Sequence, residues 1–177
     1  LASFVSVTVL IPLLLEKMGN AREGNDESRK FINDAFTVFF AVMVVASIVL
    51  FFLIPFIAPF IAPGFDKVEI DKLIGLSRIL LLSPILIGVS NLVGAVTQTL
   101  RKFFVYALSP VFYNIGIIIG IIFLYPSFGI SGLAYGVVLG AILHFAIQIP
   151  VLSAHKFIPS FSRRIDFSAI KRIVFVS

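Results

Sequence analysis

The chain contains no cysteine, and only 13% of its 177 residues are charged. The first absence excludes disulfides, thiolate metal sites and a cysteine nucleophile. The second excludes an ordinary soluble enzyme, since soluble domains carry about 25% charged and about 45–50% apolar residues. Carboxylates are scarcer still: the nine Asp and Glu all fall in connections or at expected helix starts, none inside a long apolar run. Paired acid and base groups, metal-ligand clusters and Gly-x-Ser-x-Gly elbows are missing too. The chain is therefore expected not to be an enzyme, and no catalytic residue, metal or cofactor is assigned to it.

What is present is apolar surface. Hydrophobic residues make up 59% of the chain and the mean hydropathy is +1.11. That is more than a soluble domain of this size can hide, and it excludes a disordered tail. A bilayer core about 30 Å thick needs about 20 apolar residues per helix at a rise of about 1.5 Å. Uncharged runs extend from Leu1 to Leu15, Ala35 to Phe65, Ile79 to Leu100 and Phe103 to His155, the last long enough for two helices around a turn from Tyr125 to Gly129. Spans are expected near 1–15, 35–61, 73–99, 104–124 and 130–152, with the start of a further helix at 167–177. The fold class is an all-α integral membrane protein, a polytopic helical bundle. Leu1 to Leu15 is not read as a signal peptide, because no basic residue precedes it and no small-residue cleavage site follows. The chain opens inside one apolar run and closes within an amphipathic stretch, as expected of an internal piece whose partner is the remainder of its own chain.

Basic residues are distributed unevenly. Of the 14 Lys and Arg, eleven fall in the segments 16–34, 100–103 and 153–172, which alternate along the chain with the connection holding the other three, Lys67, Lys72 and Arg78. Cytoplasmic loops are enriched in Lys and Arg, so the first three segments are expected in the cytoplasm. Nucleic acid is not an expected partner, because the cations are scattered over short loops rather than gathered on one face with stacking aromatics.

Local signals agree with spans of this kind. Asn33 or Asp34 is expected to cap the second span, and Asp66 with Glu69 has the spacing of a capping box. Pro55, Pro59 and Pro63 recur every four residues before Gly64, where a helix short of amide donors is expected to kink, unwind or stop. Gly132, Gly136 and Gly140 leave one face of the last span without side chains, and Gly116 and Gly120 do the same on the span before it. Such faces let two helix backbones approach closely, which is how helices associate in lipid. Polar groups at membrane depth are costly unless they meet a partner or a watery cavity. Asn91 is expected to hydrogen-bond between helices. Asn114, and His144 with Gln148 one turn later, are candidates either for such bonds or for lining a cavity. Arg78 is a further cavity candidate, or snorkels to the interface.

These residues resemble the MurJ (MviN) lipid II flippases. From Leu92 through Gly94, Gln98, Arg101-Lys102-Phe103-Phe104 and Ser109-Pro110 to Asn114, the chain is similar to the connection between that family's fourth and fifth helices. Ala62-Pro63-Gly64-Phe65 looks like its outer-surface break after the third helix. The stretch from Gly132 to Pro150 is similar to its sixth helix, and Arg164-Ile165-Asp166 to the start of its seventh. Gln98 stands where the family usually has Asn, Tyr106 where it often has Pro, and His144 where Gln is common.

The resemblance implies part of a MurJ-like transporter fold of the MOP superfamily, running from the end of the second helix to the start of the seventh. It implies a lipid-linked glycan as substrate, membrane lipids as surroundings, and alternating access as mechanism. The location would be the bacterial plasma membrane and the role peptidoglycan biosynthesis. The family's cavity arginines and their acidic partners would lie outside this stretch. Exporters of other undecaprenyl-linked polysaccharides, multidrug exporters of the same superfamily, and an accessory membrane subunit without transport activity remain as alternatives.

Overall fold

The structure is a computed structural model that describes residues 7–18 and 26–162. Every element among them is helical: α1 Val7–Met18, α2 Asp26–Ile61, α3 Lys67–Leu80, α4 Leu82–Thr99, α5 Phe103–Ile119, α6 Tyr125–Phe128, α7 Ile130–Ala146 and α8 Ile149–Ala154. Merged across their short breaks, they give four helices long and apolar enough to cross a membrane: 26–61, 67–99, 103–128 and 130–154. The protein is a multi-pass membrane protein built as an all-α bundle. The helix expected at 167–177 lies outside the described residues.

Helix α2 begins well before the expected position 35. Asp26 and Glu27 sit in its first turn, where carboxylates complement the positive end of the helix dipole. Phe31, Ile32 and Ala35 are then buried against Leu10, Leu14 and Met18 of α1 and against Leu92, Val93, Ala95 and Val96 of α4. Packing thus carries the helix through 33–34, and neither Asn33 nor Asp34 is its cap. Asn33 Oδ1 instead accepts the Ser160 amide at 2.8 Å, and Thr37 Oγ1 accepts that of Ser162 at 2.8 Å. Asp34 is buried inside the helix, a carboxylate deeper in the bundle than the apolar runs suggest.

The proline series does not end α2 where it begins. The helix continues through Pro55 and Pro59 to Ile61 and stops at Pro63-Gly64. Each internal proline removes one amide donor, freeing the carbonyl four residues earlier, while the surrounding turns hold the helix together. Elsewhere proline does mark breaks. Pro84 follows the α3–α4 junction at Leu81, and Pro150 lies in the first turn of α8, just after α7 ends.

At the start of α3 the Asp66–Glu69 capping box forms. Glu69 N donates to Asp66 Oδ1 at 2.8 Å and Asp66 N to Glu69 Oε2 at 3.0 Å. Between α5 and α6 the helix widens into one π turn, Gly120–Leu124. The turn expected at 125–129 is mostly helix; the chain reverses at Gly129, with φ 58° and ψ −141°. Helix α4 is the hub, packing against α1, α2, α5 and α7. The core lies at the end of the bundle where α1, the start of α2, the second half of α4, Leu152 and Phe157 meet. The far half of α2 is bare, with Phe52, Phe56 and Phe60 at 67%, 70% and 86% exposure.

Candidate functional site

The glycine face of α7 meets the glycine face of α5. A Cβ built on Gly116 would lie 2.3 Å from the Cα and N of Gly140, and one on Gly120 would lie 2.5 Å from the Cα of Gly136. Gly132 abuts the backbone at Leu124 in the same way, at 2.4 Å. The two helices run antiparallel with backbone on backbone, and their mutual contact is the most extensive in the bundle.

One turn past this seam, α7 turns to α4 and carries the candidate polar pair into the interior. His144 Nδ1 is 2.6 Å from Ser90 Oγ. Gln148 Nε2 donates to Ser90 Oγ at 2.6 Å, and lies 3.2 Å from the carbonyls of both Ser90 and His144. Ser90 and Gln148 are fully buried and His144 nearly so. The three form an interhelical clamp at the point where α7 ends and α8 begins. Gln148 Oε1 is buried in it with no hydrogen-bond partner among the described residues, near Gly94, which the Tyr106 ring covers. The ring of Tyr113 on α5 stands edge-on to the His144 ring, with centroids 6.5 Å apart.

The other polar residues singled out in the sequence lie elsewhere. Asn114 is on an exposed side of α5, and Asn91, expected to bond between helices, is exposed on α4. Arg78 is at the α2–α3 contact, with its guanidinium carbon 4.2 Å from the Phe51 ring centroid and Nε 3.4 Å from the Phe51 carbonyl. Phe51 is four residues before Pro55, so this is the carbonyl that the proline leaves without a helical donor. The structure therefore brings together two of the four polar candidates, His144 and Gln148, and separates Arg78 and Asn114 from them. Ser90 was not a sequence candidate, since a serine in an apolar helix is unremarkable until its partners on another helix are known. Among the described residues, no group of three His, Cys, Asp or Glu could hold a metal ion.

The order of these features along the chain has a counterpart among known proteins. The family model of the lipid II flippase MurJ matches residues 4–175, nearly the whole chain. The chain belongs to the MurJ family. It is 23% identical over 172 residues to the lipid II flippase MurJ of Burkholderia cenocepacia, in an alignment covering 93% of this chain and 33% of that protein. The chain thus spans about a third of the length of the curated relative it matches. For a MurJ-family chain this geometry offers a tightly sealed α5–α7 pair, a polar clamp joining it to α4, and exposed polar groups on α4 and α5. Each of these arrangements can hold or release a helix, or present an amide to a polar ligand.

Proposed function

We propose that the protein of which this chain is part moves a lipid-linked peptidoglycan precursor, of the lipid II type, from the inner to the outer leaflet of a bacterial plasma membrane. Membership of the MurJ family over residues 4–175 is the observation that carries this reading. Its physical requirement is that a pyrophosphate and sugar head group be shielded from hydrocarbon during passage, while the polyprenyl tail stays in lipid. Alternating access meets that requirement by rocking one helical bundle against another around a polar cavity.

In this reading the present helices form part of one bundle, and the segments 16–34, 100–103 and 153–172 face the cytoplasm. Support for that orientation is the excess of eleven Lys and Arg over three. Asn114, exposed on a membrane-spanning helix, is proposed as a cavity-wall residue, because an amide facing lipid would be costly and one facing a watery pathway would not. The glycine seam and the clamp of Ser90, His144 and Gln148 are proposed to keep α4, α5 and α7 together as one rigid unit while the bundles rock. The activity is transport, without covalent chemistry in this part of the chain.

The test is complementation. A strain depleted of its own lipid II flippase should regain growth and shape when the full-length gene is expressed. A full-length protein present in the membrane at normal level that restores neither would overturn the reading.

A further inference from the structure

Besides the clamp and the glycine seam, the described residues form an open groove of about 450 Å³ between α2 and the α3–α4 helix. Its walls are Val44, Ile48, Phe51 and Phe52 on one side and Leu82 and Ile85 on the other, with Arg78 at one end. The two helices run in opposite directions, so Phe51 and Arg78 share one end of the groove, and Val44 and Ile85 the other. From Val44 to Phe52 the groove follows α2 for about 12 Å, close to the half-thickness of a bilayer core of about 30 Å.

Arg78 is built into this groove rather than dangling from it. Its guanidinium is stacked on Phe51, and its Nε faces the carbonyl that Pro55 strips of its helical donor. The two Nη groups have no partner among the described residues, and no carboxylate there pairs with Arg78. The residue also stands at a chemical boundary, since the uncharged run Ile79 to Leu100 begins immediately after it. In a helix crossing a bilayer, that boundary is the level of the lipid head groups. A planar guanidinium held at this level, with its outer donors unused, matches a phosphate in charge and geometry. Below it, the exposed flanks of Ile48, Phe52 and Leu82 offer an apolar channel leading away from the charge.

We propose that this groove seats one anionic glycerophospholipid, with its phosphate on Arg78 and one acyl chain running along α2 towards Val44 and Ile85. The lipid belongs to the leaflet on the Asp66 side of the membrane, because only there do head group and tail point in the directions the groove provides. The site requires only that these helices span a membrane. Such a lipid fills the gap that the bare half of α2 leaves beside α3 and α4, and so props α2 against them.

The experiment is native mass spectrometry of the full-length protein in mild detergent, titrated with either phosphatidylglycerol or phosphatidylcholine. Wild type is expected to retain one phosphatidylglycerol about ten-fold more tightly than phosphatidylcholine, the scale of charge-assisted hydrogen bonds. Arg78→Gln should abolish that preference. Ser47 also lines the groove, so Ser47→Trp, which fills it and keeps the arginine, should weaken retention of both lipids. Arg78→Lys, keeping the charge without the fork, should fall between wild type and Arg78→Gln, and serves as the second variant should Arg78→Gln melt without a cooperative transition. Retention of phosphatidylglycerol that is unchanged in Arg78→Gln and Arg78→Lys overturns the proposal, as does retention of both lipids that is unchanged in Ser47→Trp. A wild-type protein that holds no lipid overturns it as well, and leaves the groove to another part of the chain.

Discussion

A methyl group added at Gly116 tests the helix seam with the smallest possible perturbation. Its Cβ would lie 2.3 Å from the Cα and N of Gly140 and 2.9 Å from the carbonyl carbon of Leu139. Carbon atoms rest at about 3.5–4.0 Å, so α5 and α7 would have to part by more than about 1 Å. No flexible side chain can give way, because all three obstructing atoms are backbone. Parting also loosens the contact of Gly120 with Gly136 one turn along, and a gap of about 0.5–1 Å forfeits roughly a quarter to a half of each contact's attraction. Overpacking of this kind costs about 1–3 kcal/mol. Alanine's better helix propensity returns up to about 1 kcal/mol, leaving Gly116→Ala destabilised by about 1–2 kcal/mol. Gly75→Ala is the matched control, since a Cβ there meets nothing within 4 Å. With no clash and the same gain in propensity, it should be stabilising by about 0.5–1 kcal/mol. Reversible unfolding of the full-length protein in mixed micelles measures both. Two variants shifting in the same direction, or Gly116→Ala as stable as wild type, would refute the account of the seam.

Three further perturbations probe other parts of the fold. Ser90→Ala removes the hydroxyl that contacts both His144 Nδ1 and Gln148 Nε2; with interhelical hydrogen bonds in membranes worth about 0.6 kcal/mol on average and up to about 1.7, the unfolding free energy should drop by about 1–3 kcal/mol. Gly129→Ala should cost about 1–3 kcal/mol in the same assay, through backbone strain alone, since φ 58° with ψ −141° is disfavoured for a residue with a Cβ and the space around it is open. Asp66→Ala breaks the capping box and should cost about 1 kcal/mol, seen as faster hydrogen exchange confined to the first turn of α3.

The helical, membrane-crossing class was legible because uncharged runs such as Ile79 to Leu100 exceed the spanning length, and no packing detail is needed to count them. The capping box was legible for a similar reason: both partners lie within one turn. The glycine spacing indicated which face of α7 is bare. It could not indicate the register that sets Gly116 against Gly140, because register depends on how two helices dock. The start of α2 is not legible as a change in hydropathy, because Phe31 and Ile32 continue the helix by packing on α1 and α4. Pro55 and Pro59 lie inside a helix that runs to Ile61, the end expected for that span. What they leave behind, a free carbonyl at Phe51, became meaningful only once Arg78, 27 residues away, was seen beside it. Ser90 stayed hidden for the same reason, its partners lying 54 and 58 positions further along the chain.

The central claim is that these helices cross a bilayer with the basic connections on the cytoplasmic side. It is tested most directly by single cysteines at Lys102 and at Ser127, opposite ends of the 103–128 helix, in the full-length protein cleared of other cysteines. A membrane-impermeant maleimide applied to intact cells should modify the cysteine at 127, and reach the one at 102 only after permeabilisation. Equal labelling of both from outside, or labelling of 102 alone, would contradict the account.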